Sequence, residues 1–341
     1  MKTAILKSTP QGIEDAASLI KQGGIVAFPT ETVYGLGASV FDESAIRSIF
    51  KAKGRPQDNP LIIHISKRSD VELLALDIPL HARRLMDQFW PGPLTLVLSA
   101  KHSVPLVARA GLPTVAIRMP QSKIARSLIS KSGVPIAAPS ANLSGRPSPT
   151  CIAHVITDLG GLIDAVIQGP PSKHGIESTV VDVTGVHPII LRFGSISPKE
   201  LKGIISSTKI HPALLTRSSV KKPASPGMKH AHYAPHAELI LFKGSKKNVA
   251  KTIRALVRKY QELGKRVGVL SFSSMYPSDH TIILSKDPHL ASKSLYASLR
   301  SFDMHSIDII LSEIIPTKEA SEAFMDRLSK AANNRVIELK G

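Results

Sequence analysis

Hydrophobic and polar positions follow two rhythms along this chain, and the alternation between them predicts its elements. Short apolar runs at 4–7, 24–30, 61–66, 95–99, 114–118, 134–138, 179–183 and 188–191 have the length of buried strands and are bounded mostly by Gly, Pro, Ser or Asn. Between them, Gly12 to Gln22 puts Ile13, Ala16, Ala17 and Ile20 on one helical face, and Glu43 to Lys53 does the same with Ala45, Ile46, Ile49 and Phe50. Asp42 is the expected N-cap of that second helix, and Gly54 followed by Pro56 ends it. Further helices are expected over 80–89, 122–132 and 199–205. Strands outnumber regular βαβ alternations, so residues 1–205 read as an α+β domain with a mixed sheet curled around a concave cleft.

From Ser206 to His236 the periodicity disappears, and Ser, Pro, Lys and His accumulate as in a linker. Beyond it, strands at 238–242, 266–272, 281–284, 307–315 and 336–339 alternate with helices at 246–263, 292–300 and 318–332. Such alternation predicts a smaller α/β domain with a mostly parallel sheet over 237–341.

Composition narrows the class. An apolar content of 43% is that of a globular chain, and no apolar run approaches a membrane span. Met1 to Gln22 lacks the apolar core of a signal peptide, and the single Cys151 excludes an internal disulfide or a CxxC metal site, so a cytoplasmic enzyme is expected. Cys151 itself reads as a small packed residue and Trp90 as a cap on the core. The net charge of +18 favours anionic ligands such as nucleotides or RNA. It is spread along the chain, with five basic and no acidic residues in 206–236, which suits a nucleotide pocket plus a basic connector.

Neither standard phosphate cradle is present. There is no GxxxxGK[ST], and Gly35 with Gly37 lacks the rest of a dinucleotide fingerprint. Side chains must then hold phosphates. Lys53 and Arg55, two residues apart in a segment expected to be exposed, form the best pair, with Arg192 after a strand as a third. A KxR pair is equally at home on a solvated surface. Asn59 and His64 add neutral hydrogen-bonding groups, and PSANLSGRPSPT (139–150) reads as a shaped loop in which Ser140 and Asn142 either bind a ligand or form turns. His230, His232 and His236 lack the Cys or clustered acids of a zinc site.

FPTETVYGLG (28–37), KAKGRPQDNPLIIHI (51–65), LPTVAIRMP (112–120), APSANLSGRPSPT (138–150), GIESTVVDV (175–183) and ILRFG (190–194) occur in one order. In that order they resemble the threonylcarbamoyl-AMP synthases of the Sua5/YrdC/YwlC family. SPGMKHAHYAP (225–235), with the hundred residues after it, is similar to the long Sua5 form, which adds a linker and a C-terminal domain. The resemblance implies the same curled YrdC-like sheet with a Rossmann-like C-terminal domain.

It also implies a reaction that condenses L-threonine, bicarbonate or CO2, and ATP into threonylcarbamoyl-AMP and pyrophosphate. Carried over by motif, Thr32, His64, Arg118 and Ser178 would bind threonine, Arg118 through a two-point fork to its carboxylate. Arg118 also reads as a plain strand-end ion pair. Arg55, Asn59, Thr114, Ser140, Asn142, Ser148, Arg192 and the linker's Tyr233 would bind ATP, and Lys53 with Arg55 would stabilise charge at the phosphates. Mg2+ is expected through the triphosphate and water.

The product would pass to a separate tRNA threonylcarbamoyltransferase that forms N6-threonylcarbamoyladenosine at position 37, and weak RNA contact is expected at most. The linker would close over the nucleotide as a lid, although His230 and Ala231 stand where the family usually carries Tyr and Arg. The competing function is a double-stranded RNA-binding module without ATP turnover.

Overall fold

The computed structural model describes residues 2–216, 233–272, 275–314 and 322–339. They divide into two compact units, Met1–Ser144 with Ser148–Lys229, and Gly145–Pro147 with His230–Gly341.

In the first unit, strands β1 (Ala4–Lys7), β2 (Val26–Phe28), β3 (Gly35–Ser39), β4 (Ile62–His64), β5 (Leu94–Ser99), β6 (Thr114–Arg118), β7 (Ile136–Ala137), β8 (Ala165–Gln168), β9 (Thr179–Asp182), β10 (Ile189–Arg192) and β11 (Lys209–Ile210) join in one mixed sheet. Its order is β1-β8-β2-β3-β7-β4-β6-β5-β9-β10-β11. The helices are α1 (Pro10–Lys21), α2 (Glu43–Lys53), α3 (Leu80–Phe89), α4 (Lys123–Ser132), α5 (Ile152–Leu159), α6 (Pro198–Ile204) and α7 (Pro212–Thr216).

Both faces of the β1 half of the sheet are covered. Val26 and Phe28 pack with Ala16, Ile20, Leu128 and Ile129 of α1 and α4. Ala27, between them, faces the other way into a cluster with Ile49 of α2 and Val155 of α5. Burial on both sides explains why β2 and Ala165 to Ile167 of β8 are continuously apolar rather than alternating. The expected cap is present: Asp42 Oδ1 accepts from Ala45 N at 2.9 Å, and Gly54 ends α2 in the left-handed region at φ +59°.

Gly35 and Gly37 lie inside β3. A Cβ on Gly37 would come within 2.5 Å of Ile136 Cγ2 and 2.7 Å of Phe28 Cε1, so the glycines make room for core side chains. Residues 206–216, aperiodic in sequence, carry β11 alongside β10 and then α7. Positions 217–232, with His230, His232 and the linker lysines, lie outside the described residues.

The second unit has five strands, β12 (Glu238–Lys243), β13 (Val267–Ser271), β14 (His280–Ile283), β15 (Ile309–Glu313) and β16 (Val336–Glu338), with α8 (Lys246–Glu262), α9 (Pro288–Met304) and α10 (Glu322–Ala331). The order is β14-β13-β15-β12-β16, and every pairing is parallel, as the alternation predicts. Val249, Ile253 and Val257 of α8 close over Val267, Val269 and Leu311. Within this unit Arg146 pairs with Asp303 at 2.9 Å, and buried Arg300 donates to Pro147 O at 2.6 Å. Among the described residues, no helix is long and apolar enough to cross a membrane.

Candidate active site

Four neighbouring strands, β4, β6, β5 and β9, set the register of the site. His64 of β4 stands opposite Arg118 of β6, and Arg118 stands opposite Thr95 of β5. Ser178 directly precedes β9, whose Thr179 is level with Leu94. After β10 the chain runs against this point at Gly194, where a Cβ would lie 2.2 Å from Thr179 N and 2.4 Å from Ser178 C. Only glycine permits that approach.

Arg118 is 4% exposed, and each of its three side-chain nitrogens makes a hydrogen bond. Nη1 donates to Thr32 Oγ1 at 2.8 Å, Nη2 to Glu31 Oε1 at 2.6 Å, and Nε to Gly92 O at 3.2 Å. Thr32 Oγ1 is also 2.8 Å from Thr30 Oγ1. Glu31 Oε2 accepts from Ser122 N, the N-cap of α4. Desolvation pushes the Glu31 carboxyl up, but Arg118 and backbone N–H groups outweigh it and hold the pKa below the usual range. On its outer side Glu31 borders a cavity of about 320 Å3 shared with Pro29, Ser122, Ile124 and Lys173.

His64 is buried against Phe28, edge to face at 6.1 Å. Burial, with the Arg118 charge added, pushes its pKa down to about 3, so the imidazole is neutral near pH 7. Its Nδ1 is buried and has no partner among the described residues.

Ser178 Oγ lies 2.7 Å from Thr95 Oγ1 and accepts from Arg192 Nη2 at 3.1 Å. Arg192 also donates to Ser178 O through Nη2 and Nε. Neighbouring Glu177 accepts from Ser148 Oγ at 2.7 Å. Thr32, His64, Arg118, Ser178 and Arg192 are thus brought together, as are Ser148 and Glu177 beside them.

A second cluster surrounds Lys53. It is not exposed: it is the last residue of α2, 2% accessible, and its ammonium donates to Ser140 O at 2.6 Å and to Asn142 O. Arg55, beyond the left-handed Gly54, is half-buried and turns Nη2 toward Asn59 O and Pro60 O, both at 3.3 Å. The expectation of two cations aimed alike from an exposed segment therefore fails, because the helix runs through Lys53 and the turn intervenes.

Ser140 bridges to Gly35, Asn142 Nδ2 donates to Leu143 O, and Asn59 Oδ1 is buried without a partner among the described residues. Thr114 opens β6, four residues and about 13 Å from Arg118. Tyr233 belongs to the second unit, at φ +70°, with its ring 5.3 Å from that of Tyr296 and 5.3 Å from the Arg327 guanidinium.

Sequence reasoning singled out neither Glu31 nor Thr95. Each carried a signal: Glu31 lies beside Thr32 inside a recognised motif, and Thr95 is a polar residue in the apolar run LTLVL.

Comparison with known proteins gives the family. Residues 18–194 match the Sua5/YciO/YrdC family model, described as telomere recombination, and residues 196–333 match the threonylcarbamoyl-AMP synthase C-terminal domain. The chain is 46% identical to a threonylcarbamoyl-AMP synthase of Pyrococcus abyssi, over 96% of each chain. It is 44% identical to that of Bacillus subtilis, over 97% of this chain and 96% of the other. The crystal structure of P. abyssi Sua5 complexed with L-threonine superposes with a TM-score of 0.94 at 44% identity, over the full length of both. The chain belongs to the threonylcarbamoyl-AMP synthase family, in its long Sua5 form, and is an enzyme of that class.

Proposed function

We propose that this protein condenses L-threonine, bicarbonate or CO2, and ATP into threonylcarbamoyl-AMP, releasing pyrophosphate. The observation that carries this reading is the arrangement of Arg118. Three of its five N–H groups are taken by Gly92, Thr32 and Glu31, which leaves one on each terminal nitrogen. Those two N–H groups remain as donors for a ligand carboxylate. The P. abyssi relative supports the same ligand, since its structure holds L-threonine.

In this mechanism, Arg118 holds the threonine carboxylate and the neutral His64, with Nδ1 unspent, accepts from the amine or hydroxyl. Threonine's amine and CO2 form a carbamate, whose oxygen attacks the α-phosphorus of ATP as pyrophosphate leaves. Catalysis is chiefly positioning plus charge stabilisation, supplied by Arg55 and Arg192. Lys53 acts through the 139–144 loop that its ammonium holds, with Ser140, Asn142, Asn59, Thr114 and Ser148 contributing to the nucleotide subsite.

The carboxylates at the site, Glu31 and Glu177, are already engaged by Arg118 and Ser148, so Mg2+ would be held chiefly by the triphosphate and water. Mg2+ so held would neutralise phosphate charge. The product would then serve a tRNA threonylcarbamoyltransferase making N6-threonylcarbamoyladenosine at position 37.

Pyrophosphate release by the purified full chain, with threonine, bicarbonate and ATP each omitted in turn, tests the reading. All three should be required. Equal release without threonine would overturn it, and salt-sensitive RNA binding without any ATP turnover would favour an RNA-binding module.

A further inference from the structure

Asp158 stands where its own helix disfavours it. It is the second-last residue of α5, 6% exposed, with Val155 and Leu159 buried on either side of it in the sequence. A carboxylate at the C-terminal end of a helix opposes the helix dipole, and removal from water adds a further cost. The return on that cost lies outside the helix. Asp158 Oδ2 accepts from Leu143 N at 3.2 Å, and one turn earlier on the same face His154 Nδ1 accepts from Thr150 N at 3.2 Å. Through these two side chains α5 holds two backbone amides of the 139–150 loop.

Leu143 N belongs to the same peptide unit as Asn142 O, which accepts from the Lys53 ammonium. This peptide is trans, so its C=O and N–H point in opposite directions, and the Lys53 and Asp158 charges stand on opposite sides of one plane. Each charge faces the end of the peptide dipole that carries the opposite sign. A flipped plane would set the oxygen against the carboxylate and the N–H against the ammonium, and both charges oppose that. Lys53 also binds the loop on either side of this plane, through Ser140 O at 2.6 Å and through its own carbonyl, which accepts from Ser144 N at 2.8 Å.

We propose that Asp158 is a positioning residue for the nucleotide subsite: with Lys53 on the other side, it fixes the Asn142–Leu143 peptide plane and so the backbone that presents Ser140 and Asn142 to ATP. This rests on the proposed ATP role of that loop and adds to it the group that orients the loop. Asp158 acts through the peptide and does not touch the nucleotide.

Calorimetric titration of the full chain with an ATP analogue that is not cleaved between its α and β phosphates, and separately with L-threonine, tests this, together with hydrogen exchange at the Leu143 amide. Asp158→Ala should weaken the analogue by about tenfold, the lower value of a charge-assisted hydrogen bond, while threonine affinity is kept and Leu143 exchanges faster. Asp158→Asn, which keeps an acceptor without the charge, should recover part of the loss. A thermal melt reports that each variant is folded, and Asp158→Leu replaces the alanine variant if that does not fold.

Unchanged analogue affinity in the folded alanine or leucine variant overturns the inference and leaves the proposed function standing. So does a loss shared equally by the analogue and threonine, which is what a merely structural role would give, or a loss with no change in Leu143 exchange. A wild type that does not bind the analogue overturns the proposed function and this inference with it.

Discussion

Glu31 and Arg118 form a 2.6 Å ion pair inside the protein, with 5% and 4% of their side chains exposed. A buried pair of this kind is costly to break from one side, because the survivor is left charged and dry. Glu31→Ala should lower stability by about 3–5 kcal/mol in urea unfolding and weaken threonine binding, since Arg118 loses the contact that orients it. Glu31→Gln keeps an acceptor and should lose less of both. Unchanged threonine affinity in a folded Glu31→Ala chain would show that Arg118 needs no such support.

The neutral state of His64 makes stability depend on pH. Unfolded, it takes up a proton below about 6.5; folded, it resists protonation until about 3. The unfolded chain therefore binds more protons across that window, and stability falls as pH drops from 6.5 toward 3. The depressed pKa of Glu31 acts in the same direction below the ordinary Glu value. His64→Gln should flatten the dependence of the urea midpoint between pH 6.5 and 5, where Glu31 contributes little. A parallel profile for wild type and variant would remove His64 from the explanation.

Arg55 and Arg118 should fail differently. Arg55→Ala is expected to weaken ATP binding far more than threonine binding, and Arg118→Ala the reverse. A charge-assisted hydrogen bond is worth roughly 1.5–3 kcal/mol, or about tenfold to over a hundredfold. Separate titrations with each ligand decide it, and unchanged binding in both folded variants would refute the assigned roles.

Lys53 ties down two carbonyls of the 139–144 loop, Ser140 O, which also accepts from Asn142 N at 3.1 Å, and Asn142 O. Lys53→Met keeps the apolar stem but removes a charged donor from the Ser140 and Asn142 oxygens, so it should destabilise by about 1–3 kcal/mol and speed amide exchange across 139–144. Loss of activity with unchanged exchange there would instead place the ammonium on the phosphates.

Local rules make most of the elements legible in the amino-acid sequence. Asp42, the apolar face from Ala45 to Phe50 and the closing Gly54 delimit α2 at the residues found, because capping and periodicity act within one turn. Helix α9 begins four residues earlier than expected, at Pro288, where Asp287 caps it and proline suits the first turn. Several elements escape such rules, β8, β3 and α5 among them. β8 is only four residues long, and it is a strand because β1 and β2 flank it. β3 contains two glycines, which weaken any local strand signal and are explained only by the Phe28 ring beside them. α5 has Cys151 at its N-cap without a side-chain bond, so it lacks a start signal.

The sequence by itself determined the family and the two-part architecture and named the candidate site residues, because these are written in contiguous motifs and short-range periodicity. What only the tertiary structure decided is which groups are already spent. Arg118 meets Glu31 across 87 positions, Thr95 meets Ser178 across 83, and Lys53 turns inward to carbonyls 87 and 89 residues away. Strand register places Arg118 and Thr95, loops and the end of α2 bring their partners and Lys53, and a hydrogen bond exists only when two distant atoms arrive within about 3 Å, a condition no local pattern encodes.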